Sequence, residues 1–184
     1  MRFGIIGTAG IARSALIPAI ERTEHTVEAI ASRDESRARA VADEFDIPRA
    51  FGSYEALLGA PDIDAVYNPL PNGLHGEWTK RAADEGLHVL SEKPLTADAD
   101  EAVSVVEHCR DAGVTLMEGF MYRYHPRTER AAELVEEELD GVSAVNASFK
   151  FRLDGRPDDV RLDPSLATLN AGWASTHPFS ASTR

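Results

Sequence analysis

The hexapeptide Gly7-Thr8-Ala9-Gly10-Ile11-Ala12 follows the apolar stretch Phe3-Gly4-Ile5-Ile6 and precedes a segment of helical period. A site for the pyrophosphate of a dinucleotide needs a tight turn, a small residue where main chain meets phosphate, and a small residue where helix packs on strand. Gly7, Ala9 and Ala12 fill those roles, and Thr8 and Ile11 complete the candidate cofactor contacts of the turn. Alanine stands where a second glycine is usual, and Gly10 occupies a variable slot, so a strand-to-helix turn without a ligand is the competing reading.

At the end of the next apolar stretch, where an NAD site places an acidic residue for the ribose hydroxyls, stand Ser32 and Arg33, with Arg37 one helical turn beyond. A hydroxyl and planar guanidinium groups suit a 2′-phosphate, which points to NADP with NAD as the alternative. The plainer reading makes Arg33 and Arg37 solvated charges among Asp34, Glu35 and Asp43. Two further segments carry chemistry: Asn68-Pro69-Leu70-Pro71-Asn72-Gly73-Leu74-His75 and Ser91-Glu92-Lys93-Pro94-Leu95. Singly, Asn72 is a turn residue, His75 a helix-start side chain and Lys93 an exposed turn lysine. Each segment nevertheless follows a predicted strand, and ligands of open α/β sheets bind at the carboxyl ends of strands. Their joint placement on successive strand ends favours a ligand-binding role, with Leu70, Asn72, His75, Glu92, Lys93 and Pro94 as candidate cofactor contacts.

The elements that must position these residues alternate strand and helix. Apolar runs predict strands over 2–7, 27–32, 65–68, 88–91 and 114–118, and helical period predicts helices over 11–22, 35–45, 53–58, 74–85 and 98–112. Gly86 and Gly113 stand where helix C-caps belong. The rhythm predicts an α/β fold, a doubly wound parallel sheet with helices on both faces. After Glu118 the text turns aromatic and irregular through Gly119-Phe120-Met121-Tyr122-Arg123-Tyr124-His125-Pro126, and a charged helix over 128–139 follows. Alternating apolar and polar residues over 142–152 predict one half-buried strand of a second sheet. The predicted domains are 1–120, binding NADP, and 121–184, the start of a second, α+β domain.

Composition narrows the partners. The net charge is −12 over 184 residues, a field that repels nucleic acid and anionic lipid. Only Lys80, Lys93 and Lys150 are lysines, and this acid-rich, lysine-poor balance resembles proteins of salt-loving cells. Cys109 stands alone, which rules out an internal disulfide or a thiolate zinc site and predicts a small buried helix residue. No apolar run approaches a membrane span and no secretory leader is visible, so a cytoplasmic protein acting on a small molecule is expected.

Taken together, the turn 7–12, Ser32-Arg33, Pro69 to His75, Glu92-Lys93-Pro94 and Glu118 to Pro126 resemble the glucose-fructose oxidoreductase, inositol dehydrogenase and MocA family. Within it the chain is most similar to the branch of D-xylose 1-dehydrogenases and dimeric dihydrodiol dehydrogenases. The resemblance runs from residue 1 to about residue 166 and implies a Rossmann domain, a homo-oligomer, and hydride transfer between a sugar or related polyol and the nicotinamide of NADP. It also implies that Glu92 and Lys93 sit beside the nicotinamide, that Lys93 is the catalytic residue and touches the substrate, and that the Lys93-Pro94 bond is cis. Tyr122, Arg123 and His125 would line the sugar pocket. No metal is implied.

In the family a proton-handling tyrosine or histidine follows in a glycine-rich segment that continues into Asp-x-Gly-x-(His/Tyr). After Leu166 this sequence instead runs without a charged residue from Ala167 to Thr183 and ends at Arg184. A truncated or out-of-frame end is expected, with the substrate domain unfinished. Three readings stay open: an NADP-dependent sugar dehydrogenase, a dinucleotide-binding remnant or sensor without turnover, and a coenzyme-independent sugar binder, which the paired phosphate-site features weaken.

Overall fold

The computed structural model describes residues 1–139 and, beyond them, residues 142, 144, 146 and 148. The described residues fall into two compact units, one ending at Gly119 and one starting at Phe120. The strand expected over 142–152, apart from four positions, and the tail after Leu166 lie outside the described residues.

The first unit is a six-stranded sheet in the order β3-β2-β1-β4-β5-β6. Its strands are β1 (Arg2–Ile6), β2 (Thr26–Ala31), β3 (Arg49–Phe51), β4 (Ala65–Asn68), β5 (His88–Ser91) and β6 (Leu116–Glu118), and every neighbouring pair is parallel. The chain winds outward from β1 in one direction and from β4 in the other, which is the doubly wound order. Five of these strands were predicted. The sixth, β3, has three half-buried residues on an edge of the sheet, too short to show an apolar run or a period.

Alternation along the strands builds two cores, because successive side chains leave a strand on opposite faces. Ile6, Ala29, Ala31 and Val66 face one side with Leu57 and Leu58 of α3 (Tyr54–Leu58) and Trp78 and Ala82 of α4 (His75–Asp84). Ile5, Ile30 and Tyr67 face the other with Ala12, Ile17 of α1 (Ile17–Ile20), and Ala38, Val41 and Ala42 of α2 (Glu35–Glu44). Fully burying an isoleucine contributes roughly 1.5–3 kcal/mol, so Ile5, Ile6 and Ile30 alone anchor the central strands. Val105 and Cys109 of α5 (Ala99–Asp111) pack with Ala83, so Cys109 is the small buried helix residue the sequence predicts.

The helices start where their caps say they should. Asp34, Ser53 and Asp98 each accept a main-chain N–H from the first turn of α2, α3 and α5, at 2.9, 3.2 and 2.9 Å. Gly86 and Gly113 end α4 and α5 with φ of 73° and 72°. The segment predicted as one helix over 11–22 divides instead into a π-helical turn at Ala12–Leu16 and the short α1, where Pro18 lacks the N–H an unbroken ladder needs. Among the described residues no helix is long and apolar enough to cross a membrane. In the second unit a 3-10 turn at Met121–Tyr124 precedes α6 (Pro126–Glu138).

Candidate active site at the carboxyl edge of the sheet

Parallel pairing in register carries the sequence signals into one row. Ile6 is level with Ala31, Ile5 with Tyr67, Asn68 with Ser91, and Ser91 with Glu118. One residue further along each strand therefore come Gly7, Ser32, Pro69, Glu92 and Gly119, side by side. The ladder holds them there: Gly7 N donates to Ala31 O (2.7 Å), Ser32 N to Phe51 O (3.1 Å), Glu92 N to Asn68 O (2.9 Å) and Gly119 N to Ser91 O (2.8 Å).

Gly7 has φ of +106°, a conformation that costs any residue with a Cβ, and a Cβ here would lie 2.9 Å from Leu70 Cδ2. Leu70 is thus the floor against which the turn closes. Thr8 and Ala9 remain partly open, whereas Ala12 is fully buried and donates its N–H to Ala9 O at 3.0 Å.

 Ala9, half-buried, thus gives its carbonyl to the start of the helical segment. Ile11 is exposed, and an added Cβ at Gly10 would meet nothing within 4 Å, which makes Gly10 the unconstrained position of the turn. The turn fits a dinucleotide: main chain without a Cβ approaches the strand ends, and a buried small residue lets the following helical turn close on the sheet.

Ser32 is buried, and its hydroxyl accepts the N–H of Asp34 at 3.2 Å. The Arg33 guanidinium lies beside the Tyr54 phenol, where it works against the burial that raises that phenol's pKa. Tyr54 is itself wedged edge-on against Trp78, with ring centroids 4.9 Å apart, while Arg33 is exposed. Arg37 is more loosely held: its side chain is 75% exposed and its Nε is 3.7 Å from Asp34 Oδ2.

The loops after β4 and β5 are tied to each other by polar groups buried between them. His75 is fully buried, with Nδ1 2.7 Å from Pro94 O and Nε2 2.6 Å from Leu70 O. Both ring nitrogens thus lie within hydrogen-bond distance of main-chain carbonyls, which places the ring between Leu70 and Pro94. Asn68, also fully buried, donates to His75 O (3.1 Å) and Thr79 Oγ1 (3.3 Å) and accepts from Leu70 N (3.4 Å). Glu118 Oε1 accepts from Leu95 N at 2.8 Å and holds the far side of the second loop. Asn72 is half-buried at the start of a 3-10 turn, Asn72–Leu74.

The Lys93-Pro94 peptide bond is cis. Lys93 is exposed, with Nζ 4.0 Å from Glu92 Oε2, and its N–H donates to the same oxygen at 3.3 Å. Glu92 Oε1 accepts from the Tyr67 hydroxyl at 2.8 Å. Burial, then the Glu92 carboxylate, push the Tyr67 phenol far above its ordinary pKa, so it remains a donor. Tyr67 and Asn68 were not among the predicted site residues. Asn68 carried a signal, since a polar residue ending a strand buried on both faces must find partners inside; Tyr67 looked like one more apolar strand residue.

The other predicted substrate residues belong to the second unit. Tyr122, Arg123 and His125 are all exposed. Tyr122 meets Phe120 edge-on with centroids 5.8 Å apart, and His125 Nδ1 accepts the Arg127 N–H at 3.1 Å, which makes it the N-cap of α6.

Comparison with known proteins agrees with this layout. Residues 1–120 match the GFO_IDH_MocA model, described as an oxidoreductase family with an NAD-binding Rossmann fold. The chain is 64% identical over 167 residues to D-xylose 1-dehydrogenase (NADP(+)) 2 of Haloferax volcanii, covering 91% of this chain and 51% of that protein. It is 33% identical over 160 residues to trans-1,2-dihydrobenzene-1,2-diol dehydrogenase of Mus musculus, covering 85% of this chain and 48% of the relative. Among solved structures, a 3-ketoreductase from Actinomadura kijaniata in complex with TDP-benzene and NADP superposes with a TM-score of 0.71 at 42% identity, covering 77% of this chain and 45% of that one. The chain spans about half the length of the curated relatives it matches. With every strand of its sheet inside the matched region, the chain belongs to the GFO_IDH_MocA oxidoreductase family.

Proposed function

We propose that this chain is the dinucleotide-binding half of an NADP-dependent sugar oxidoreductase, acting on an aldose such as D-xylose or a related polyol. The observation that carries the reading is the row Gly7, Ser32, Pro69, Glu92 and Gly119, which brings the Gly7 turn, Ser32 and the lysine-bearing loop together along one sheet edge. Likeness to an NADP-dependent D-xylose 1-dehydrogenase supports the cofactor and the substrate class.

In this reading Gly7, Thr8, Ala9, Ile11 and Ala12 receive the pyrophosphate, and Ser32, Arg33 and Arg37 receive the 2′-phosphate. Leu70, Asn72, Glu92, Lys93 and Pro94 hold the nicotinamide end, with His75 fixing two of them from behind. The dinucleotide, when bound, supplies or takes up the hydride. Lys93 presents an ammonium to the substrate oxygen, stabilising an alkoxide as it forms or relaying its proton. Tyr122, Arg123 and His125 line the sugar pocket. The boundary between the cofactor domain, 1–120, and the substrate and dimerisation domain lies at the aromatic segment. The whole enzyme is a cytoplasmic homo-oligomer of a salt-rich cell, in keeping with a net charge of −12.

Titration with NADPH and NADH, followed by nicotinamide fluorescence at high salt, tests the reading. Saturable binding with NADPH preferred is the expected result, with oxidation of D-xylose by NADP as the assay of turnover. Failure to bind either nucleotide would overturn it.

A further inference from the structure

We propose that Tyr67 is a positioning residue for Lys93, acting through Glu92: it fixes one carboxylate oxygen from inside the sheet and so aims the other at the lysine. The inference rests on the reading of Lys93 as the group beside the reacting centre. Tyr67 is 2% exposed and lies level with Leu90 on β5, so its ring is locked by packing and its hydroxyl is delivered from a rigid strand. That hydroxyl meets Glu92 Oε1 at 2.8 Å. A phenol donating to a carboxylate makes a charge-assisted bond, stronger than a neutral one, and burial with the carboxylate's own charge keeps the phenol protonated.

The remaining oxygen, Oε2, then has one direction to face. It accepts the Lys93 N–H at 3.3 Å and lies 4.0 Å from Nζ. The larger distance is attraction without a hydrogen bond, which steers the ammonium while leaving its three donors for a ligand. Gly119 closes the arrangement from β6: a Cβ there would come within 3.4 Å of Glu92 Oε1 and 3.3 Å of Ser91 O. The Glu92 side chain is 14% exposed and the Lys93 side chain 54%, so order passes from the buried phenol outward to the mobile amine.

Two readouts test this on the chain itself. With 13Cζ-labelled tyrosine, the Tyr67 resonance is assigned by its loss in Tyr67→Phe; Glu92→Gln is expected to move it while leaving Tyr54, Tyr122 and Tyr124 unmoved, and an unmoved Tyr67 signal overturns the contact. Binding is measured for NADPH and for adenosine 2′,5′-bisphosphate, which lacks the nicotinamide end. Tyr67→Phe and Glu92→Gln should each weaken NADPH by roughly 5-fold, the scale of one net hydrogen bond. The double variant should bind about as weakly as Glu92→Gln alone, because Tyr67 acts only through the Glu92 carboxylate. Adenosine 2′,5′-bisphosphate should bind all of them as it binds the parent, a selectivity that general loosening of the fold would not give. Parent-like NADPH affinity in Tyr67→Phe, or losses that multiply in the double variant, overturns the inference alone. A parent that binds neither probe overturns the functional reading on which it rests.

Discussion

His75 Nδ1 lies 2.7 Å from the carbonyl oxygen of Pro94, so a residue at the start of α4 is bonded to the loop after β5 rather than to the cleft. With Nε2 on Leu70 O at 2.6 Å, the ring is a strut between the two loops that flank the proposed nicotinamide end. Both oxygens only accept, and an unprotonated imidazole carries one N–H, so the ring donates to one carbonyl at a time while packing against the other. Losing that bond costs about 1–3 kcal/mol and truncating a fully buried ring adds a cavity, so His75→Ala should lose roughly 2–5 kcal/mol of stability in urea unfolding. A loss under about 1 kcal/mol would show that the ring is not a strut.

The two glycines of the first turn should separate cleanly. Gly7→Ala forces a Cβ onto a φ of +106° and against Leu70 Cδ2 at 2.9 Å. Strain of this kind costs about 1–3 kcal/mol, and the main chain that moves to relieve it is the main chain proposed to meet phosphate. NADPH affinity should fall about 10-fold or more, a factor worth roughly 1.4 kcal/mol. Gly10→Ala meets nothing within 4 Å and should leave the urea midpoint close to the parent's. Equal urea midpoints and NADPH affinities for the two variants would contradict the assignment of the tight turn to Gly7.

Arg33 and Arg37 were read together from the sequence, but their settings differ. Both are exposed, but Arg33 lies beside Tyr54, which is fixed on Trp78, while Arg37 is drawn toward Asp34. A pre-placed guanidinium loses less entropy on binding phosphate. Arg33→Ala should therefore weaken NADPH by about 10- to 100-fold, the scale of one or two charge-assisted bonds, and leave NADH nearly unchanged. Arg37→Ala should have an effect several times smaller than that. Matched titrations of both variants decide it, and the reverse ranking would reassign the 2′-phosphate contact to Arg37.

Much of this site was legible because period and punctuation act locally. The alternation of Ile5 with Ile6 and Ala29 with Ile30 gives the two-faced sheet, and Asp34, Ser53 and Asp98 mark helix starts through bonds to N–H groups two or three residues on. The doubly wound order then places strand ends together, so signals far apart in the chain converge. What escaped was set by long-range packing. Arg49–Phe51 becomes a strand because β2 offers an edge to pair with, not because its three residues ask for one. Tyr67 meets Glu92 only because the fold brings the end of β5 to its hydroxyl, and the two carbonyls beside the His75 ring are not revealed by sequence spacing.

At the opposite end of the sheet, acid should act without touching the site. Asp64, just before β4, accepts from the Arg2 main-chain N–H at 2.7 Å and from the Arg2 guanidinium at 2.7 Å, tying the starts of the two central strands together. These bonds, the side-chain one foremost, lower the Asp64 pKa to about 2 from an ordinary 3.8. A carboxylate whose pKa is depressed by folding adds stability above its unfolded value and loses it as pH falls through the folded one. The contribution is thus present above about pH 4 and disappears toward pH 2. The Asp34 carboxyl is lowered as well, chiefly by the hydrogen bond from the Ser36 hydroxyl, so the informative quantity is the difference between parent and Arg2→Gln. Melting temperatures measured from pH 6 to pH 2 should show the variant less stable than the parent at the upper end, with the gap narrowing as Asp64 gains its proton. NADPH affinity at neutral pH should be shared by the two proteins, since Arg2 sits a full strand length from Gly7. A gap that is constant with pH would mean that Arg2 supports the fold through packing of its stem and not through Asp64.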